Sequence, residues 1–135
     1  MNHARLIRQI SARMSLRKPQ EQSLRILHEI ELATAGTDDV LAALTAIQSL
    51  AEDDLQKIED FERDFVSLCF ALATGVGKTR LMGAFISYLA LKGRSKHFFV
   101  LAPNTTIYNK LVDDFTPGKP KYVFKGISEF VQSPP

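Results

Sequence analysis

Cysteine and tryptophan are almost missing from this sequence, and long apolar runs are missing as well. The chain of 135 residues has one cysteine and no tryptophan. A single thiol excludes a disulfide framework, and we expect Cys69, which lies in an apolar segment, to be buried and not to act as a nucleophile. No apolar run approaches the roughly 18 residues that a membrane-spanning helix needs. These absences indicate a cytoplasmic protein without a membrane partner.

Acidic side chains are missing from the first twenty residues, and histidine is scarce throughout. Residues 1–20 carry five basic side chains and no acidic one, residues 21–64 carry twelve acidic and three basic, and residues 65–135 carry nine basic and three acidic. A basic segment attracts phosphate, although it serves equally well as a solvated surface. The three histidines show no zinc-ligand spacing to the cysteine, so no zinc site is predicted.

The first eighteen residues are amphipathic and rich in arginine, which is also typical of a mitochondrial transit peptide. We favour the simpler interpretation, a plain N-terminal helix. Its apolar stripe would face a core, and that stripe consists of Leu6, Ile7, Ile10 and Met14.

Four further helices are predicted from the spacing of apolar residues. The first runs from Pro19, a proline in the opening turn, to a glycine stop at Gly36. The second covers residues 38–51, and the third lies in the acidic stretch 55–65. The fourth covers residues 78–92 and ends at a glycine.

Two continuous apolar segments predict buried parallel strands. "VSLCFAL" at 66–72 leads into a glycine loop, and "HFFVLA" at 97–102 is ended by Pro103. Together with the helix between them, they predict a βαβ unit with a right-handed crossover. A third strand is a candidate at residues 122–124.

The stretch "ATGVGKT" at 73–79 stands between the first predicted strand and a helix, where a phosphate-binding loop must lie. Gly75 and Gly77 allow a tight turn that brings backbone N–H groups against phosphate oxygens. The start of the helix near Lys78 adds the positive end of its dipole. Lys78 is suited to bridging β- and γ-phosphates, and the Thr79 hydroxyl to binding Mg²⁺. An ordinary strand–helix turn is the alternative.

Three stretches together resemble a known family. "ATGVGKT" resembles motif I of superfamily 2 helicases and translocases, which lack the first glycine of the strict P-loop pattern; Leu72 stands there in this chain. "LRKPQEQSL" at 16–24 is similar to the Q-motif, and "FVLAPNTTIYNKLVDDF" at 99–115 is similar to motif Ia. The resemblance is closest to the helicase part of type III restriction enzyme Res subunits and related DEAD/DEAH-box proteins. Type I restriction motor subunits come second.

The resemblance implies ATP and Mg²⁺ as cofactors. In it, Lys78 is catalytic, Thr79 binds Mg²⁺, and Gln20 reads the adenine edge with an amide that both donates and accepts. The implied nucleotide-binding residues are Gln20, Thr74, Gly75, Val76, Gly77, Lys78 and Thr79.

The motif Ia-like stretch is implied to touch the backbone of a nucleic acid. The residues concerned are Asn104, Thr105 and Thr106. A simpler alternative is a helix N-cap, because Asn and Thr serve that purpose in any protein. For Gln20 the simpler alternative is a first-turn helix residue at the surface.

The resemblance also implies an α/β fold, namely a partial RecA-like P-loop NTPase domain with parallel strands behind an N-terminal helical segment. We place the helical segment, including the Q-motif-like stretch, at residues 1–64, and the incomplete helicase domain at 65–135. A motor of this kind needs an Asp-Glu pair after a later strand, and no such pair follows Thr79. We therefore interpret the chain as the N-terminal portion of a larger motor that is inactive alone.

The predicted function is the ATP-binding portion of a DNA helicase or translocase that couples ATP hydrolysis to movement on DNA. DNA is the expected partner, and the resemblance adds a methyltransferase or specificity subunit. Two other classes stay open. A small P-loop kinase would need Asp or Arg partners that the chain does not show, and a non-catalytic module would bind nucleotide or DNA only.

Overall fold

The computed structural model describes residues 3–135, with the backbone alone at residue 3. Its α-helices are α1 (His3–Arg13), α2 (Lys18–Ala33), α3 (Val40–Gln48), α4 (Asp53–Gln56), α5 (Lys78–Leu91) and α6 (Thr105–Asp114), and a short 3-10 helix covers Ser128–Phe130. None of these helices has the length and apolar character needed to cross a membrane.

The chain divides into two compact units. One combines the residues up to Glu21 with Thr74–Pro135, and the other consists of Gln22–Ala73. The glycine loop, the first turn of α2 and the segment after α6 therefore belong to the same unit. The predicted domain boundary between residues 64 and 65 stays a prediction.

In the first unit, α1 packs against α5. The predicted apolar stripe of α1 is buried, as Leu6, Ile7, Ile10 and Met14 are each at most 5% exposed. This confirms a core-facing N-terminal helix, although the first two residues of that prediction lie outside the described residues. A periodic apolar stripe suffices here because burying one face stabilises a helix that could not persist alone.

An aromatic cluster fixes the segment that follows α6. Tyr122 and Phe124 are buried beside Ile86 of α5, and Phe124 contacts the rings of Phe115 and Phe130 at centroid distances of 5.5 and 5.9 Å. The rings are tilted or edge-on, the arrangement that their quadrupoles favour. Burial also raises the pKa of the Tyr122 phenol.

Two glycines let this segment approach the helices closely. A Cβ built at Gly83 of α5 would meet Cγ2 of Val123 at 2.5 Å. A Cβ built at Gly126 would overlap the backbone carbonyl of Arg13, at the end of α1. The residues after α6 are thus held against both α1 and α5.

The second unit is built on an apolar core of its own. Ile30 of α2, Ile47 of α3 and Phe61 belong to that core, and α3 packs against the short α4. Asp39 caps α3 by accepting a hydrogen bond from the Ala42 N–H at 2.8 Å. The side chain continues the hydrogen-bonding pattern that the first turn of a helix leaves open.

The predicted α/β fold is wrong, because no β-strand occurs among residues 3–135. Residues 66–72 and 97–102 are irregular, and so is residue 122, while residues 123–124 lie in a turn. A parallel strand exists only where its backbone bonds to a neighbouring strand. Apolar composition indicates a tendency to be buried but supplies no such neighbour, and Phe99 and Leu101 are 88% and 76% exposed.

The other local predictions have mixed outcomes. The helices predicted from residues 19, 38 and 78 are confirmed, as α2, α3 and α5. The helix predicted over 55–65 is wrong beyond Gln56, where α4 ends. Ile58 and Phe61 contact the second core from irregular chain, and Phe65 is exposed. Cys69 was expected to be buried and is exposed, since the segment around it joins no sheet.

The two glycine contacts predict different mutational costs. Gly126→Ala places a methyl group into backbone that cannot move aside, so we expect a loss of roughly 1 to 3 kcal/mol in the free energy of unfolding. Gly83→Ala meets the two methyl groups of Val123 and Cε of Met14, which are side-chain atoms and shift more readily than backbone. It also gains about 0.5 to 1 kcal/mol of helix propensity, which offsets part of the clash. Urea denaturation of both variants measures the difference. Equal stability of the two would contradict the packing described here.

Candidate phosphate-binding site

The glycine loop adopts a backbone that favours glycine at two positions. Gly75 and Gly77 have φ values of 79° and 88°, in the left-handed region where a side chain adds strain. Gly77 is the N-cap of α5 and offers no side chain to the N–H groups that follow. At Gly77 a Cβ would also lie 2.5 Å from Nε2 of Gln20. Both the turn and the close approach therefore require glycine there.

The carbonyl groups of this loop are held by the start of α2. Nε2 of Gln20 donates to the carbonyl oxygens of Val76 and Gly77, at 2.8 Å each. Oε1 of the same amide accepts the N–H of Arg17 at 2.8 Å, and Nη1 of Arg17 donates to the Gly75 carbonyl at 3.1 Å. Gln20 is only 1% exposed. All three loop carbonyls thus point towards fixed donors.

The N–H groups of the loop remain available. Among the described residues, no backbone hydrogen bond uses an N–H of residues 75–80 as donor, and the first such bond runs from the Leu81 N–H to the Gly77 carbonyl at 3.1 Å. Unpaired N–H groups at a helix start carry partial positive charge, and together with the dipole they favour an anion. The local arrangement is therefore that of an anion-binding loop.

The two side chains predicted to bind phosphate and metal follow directly. Lys78 is exposed and Thr79 is half-buried. Both line a cleft of about 640 Å³ that Gly77 also lines. No group of three or more His, Cys, Asp or Glu side chains able to hold a metal occurs within residues 3–135. Binding of Mg²⁺ by the Thr79 hydroxyl stays a prediction. It would need only this one protein oxygen, because Mg²⁺ keeps several waters and takes phosphate oxygens for the rest.

The cleft is strongly basic. Among the described residues that line it, Asp114 is the only acidic one. This side chain is buried, and its Oδ2 forms an ion pair with Nζ of Lys110 at 2.6 Å. The carboxylate is thus compensated within the protein. The basic lining residues are Arg13, Lys78, Arg80, Lys110, Lys121 and Lys125.

The residues predicted to touch nucleic acid lie at the start of α6 and do not line this cleft. Asn104 is the N-cap, and its Oδ1 accepts the Ile107 N–H at 2.9 Å. This confirms the capping alternative. Thr105 and Thr106 are exposed, so their hydroxyl groups are accessible. A contact of all three with nucleic acid stays a prediction.

The structure brings some of the predicted site residues together and places further residues at the site that the sequence analysis did not name. Gln20 lies against the loop, a contact that the sequence did not predict, and both N–H groups of its amide are directed at loop carbonyls. Reading of adenine by Gln20 therefore stays a prediction. Arg17, which the sequence did not single out, donates to the Gly75 carbonyl. Lys121 and Lys125 were missed, although the signal was present in "KYVFK", where two lysines flank a segment with two aromatic residues.

One comparison with known proteins identifies a family. The family model described as "Type III restriction enzyme, res subunit" matches residues 13–134. A comparison with curated proteins found no match, and neither did one with solved structures.

Gln20→Ala tests the contact between α2 and the loop. The change removes three hydrogen bonds and leaves the Val76 carbonyl without its donor, while the Gly77 carbonyl keeps only the Leu81 N–H. We therefore expect a loss of about 2 to 4 kcal/mol in the free energy of unfolding. Gln22→Ala, an exposed glutamine of the same helix, is the control and should cost under about 0.5 kcal/mol. Chemical denaturation gives both values. Equal costs for the two variants would contradict a structural role of the Gln20 amide.

Proposed function

The chain belongs to the family of type III restriction enzyme Res subunits, and from this premise we propose that it is the ATP-binding portion of a DNA helicase or translocase. In this proposal ATP hydrolysis is coupled to movement on DNA. The observation that carries it is the loop at residues 75–77, whose carbonyls are held by α2 while its N–H groups stay unpaired. Family membership itself supports the coarser statement of a helicase-like ATPase.

The proposed phosphate contacts follow from the orientation of the loop. The N–H groups of residues 75–79 donate to phosphate oxygens, and the start of α5 adds the positive end of its dipole. Lys78 lies at the next position, where an ammonium group neutralises the β- and γ-phosphates. Thr79 supplies one oxygen to Mg²⁺. Because donors are fixed before binding, little reorganisation is needed when the nucleotide arrives.

For Gln20 we propose a part in shaping the loop, together with adenine reading by its remaining acceptor capacity. Oε1 has two lone pairs, of which one accepts from Arg17. In this proposal the second lone pair accepts from the exocyclic amine of adenine. The N–H groups of the amide hold Val76 and Gly77, so only half of the bidentate pattern for adenine is available.

Hydrolysis requires a carboxylate that positions the attacking water and the metal. Asp114 is the acidic group of the cleft, but its charge is engaged by Lys110 at 2.6 Å. We therefore assign no catalytic carboxylate among these residues and expect the 135-residue chain to bind ATP without turning it over.

A methyltransferase or specificity subunit is the protein partner that this proposal includes.

Lys78→Ala tests the phosphate assignment. The side chain is exposed, so its removal should leave the fold intact while ATP affinity falls by on the order of tenfold or more, as for a lost charge-assisted contact. Thr79→Ala should weaken only the part of the affinity that depends on Mg²⁺. Isothermal titration with ATP, with and without Mg²⁺, measures both effects.

The control for Lys78→Ala is Lys96→Ala, because Lys96 is an exposed lysine of the same unit that does not line the cleft. It should bind ATP as the unchanged chain does. Equal ATP affinity of the Lys78 variant and this control would contradict the phosphate assignment.

The proposed DNA contact is tested at the start of α6. Thr105 and Thr106 are exposed hydroxyls, and contacts of this type position a DNA backbone without reading bases. The double change Thr105→Ala and Thr106→Ala should weaken binding to random oligonucleotides a few-fold, equally for all sequences, with a shallow salt dependence. Fluorescence anisotropy at several salt concentrations measures this.

Asn109→Ala is the matched control, since Asn109 is an exposed polar residue farther along α6. It should leave DNA binding unchanged. Tight, sequence-dependent and salt-insensitive binding by the unchanged chain would contradict the motor proposal and favour an independent recognition module.

A further inference from the structure

We propose that Lys121 and Lys125 form a second wall of the nucleotide site and bind the same polyphosphate as Lys78. This inference rests on the proposed function and extends it to residues outside the glycine loop. All three lysines line the cleft of about 640 Å³. That volume lies within the range of roughly 300 to 1,000 Å³ that is usual for small-molecule sites.

The backbone that carries the two lysines is fixed. Tyr122 and Phe124 stand between them in the chain and are 5% and 1% exposed. The Val123 N–H donates to the backbone carbonyl of Asp114 at 2.8 Å, and the Tyr122 hydroxyl donates to the Phe130 carbonyl. Lys121 and Lys125 themselves are exposed. They therefore extend from a segment with buried anchors and not from a free tail.

The other cations of the cleft already have acceptors. Lys110 pairs with Asp114 at 2.6 Å, Arg13 pairs with Glu129 at 3.6 Å, and Arg80 donates to the Ser15 carbonyl at 3.4 Å. Within residues 3–135, Lys78, Lys121 and Lys125 take part in no such contact. Three ammonium groups thus line one cleft without a counter-charge.

This distribution of charge favours a compact anion with several negative groups. Like charges that line one cleft repel each other, and an anion between them converts that repulsion into attraction. One phosphate can be bound by the glycine loop alone, because the loop supplies its own N–H groups. The additional lysines favour further phosphates, so the charge of the cleft fits a polyphosphate better than a monophosphate.

The test compares ligands that differ in their number of phosphates. ATP, AMP and inorganic tripolyphosphate are titrated into the unchanged chain, into Lys121→Ala and Lys125→Ala, and into the control Lys96→Ala. We expect each cleft variant to weaken ATP and tripolyphosphate by roughly three- to tenfold, as for a partly exposed contact between charges. AMP binding should stay unchanged, and Lys121→Arg should restore most of the affinity because it keeps the charge.

The outcomes separate this inference from the proposed function. If both cleft variants bind ATP like Lys96→Ala while Lys78→Ala loses ATP, the inference is wrong and the proposed function stands. If Lys78→Ala has no effect either, the proposed function fails with it. Weaker binding of a random oligonucleotide with unchanged ATP affinity would overturn the inference and assign the lysines to DNA. Circular dichroism and urea denaturation identify any variant that does not fold, for which Lys→Gln replaces Lys→Ala.

Discussion

The candidate site depends on one buried amide. Gln20 donates to the carbonyls of Val76 and Gly77 at 2.8 Å each and is 1% exposed. A peptide plane has its carbonyl and the next N–H on opposite sides, so fixing the carbonyls towards α2 directs the N–H groups away from it. These bonds are costly to lose, because the Val76 carbonyl would be left without its donor and the Gly77 carbonyl would keep only the Leu81 N–H. The orientation of the glycine loop therefore depends on this contact as well as on the positive φ values that its glycines permit.

The second constraint is electrostatic, and it concerns the whole cleft. Six basic side chains and one carboxylate line it, and the carboxylate is compensated by Lys110. The remaining positive charge is carried by exposed side chains, and the surrounding water lowers the repulsion between them. The segment after α6 brings two of these lysines to the loop because its aromatic residues are buried beside α5. Packing of apolar rings thus determines where charge accumulates.

Prediction from sequence succeeded where the deciding interactions are local. The helices α2, α3 and α5 follow from apolar spacing, a proline at the start and glycine stops, and Asn104 caps α6 as its side chain allows. It failed where the structure needs a distant partner. Residues 66–72 and 97–102 have the composition of buried strands but no strand neighbour, so the α/β fold was wrong and Phe99 is 88% exposed.

The sequence by itself determined the glycine loop, because Gly75 and Gly77 permit positive φ values at which other residues are strained. It also determined the family, since the match over residues 13–134 is read from the sequence alone. Only the tertiary structure decided that Gln20 holds loop carbonyls and that Lys121 and Lys125 line the cleft. Gln20 and the two lysines are each more than forty positions from the part of the glycine loop or cleft beside which they lie. Sequence propensities act over only a few residues, so they cannot predict such contacts. Which side chains meet across such distances is set by the packing of apolar faces.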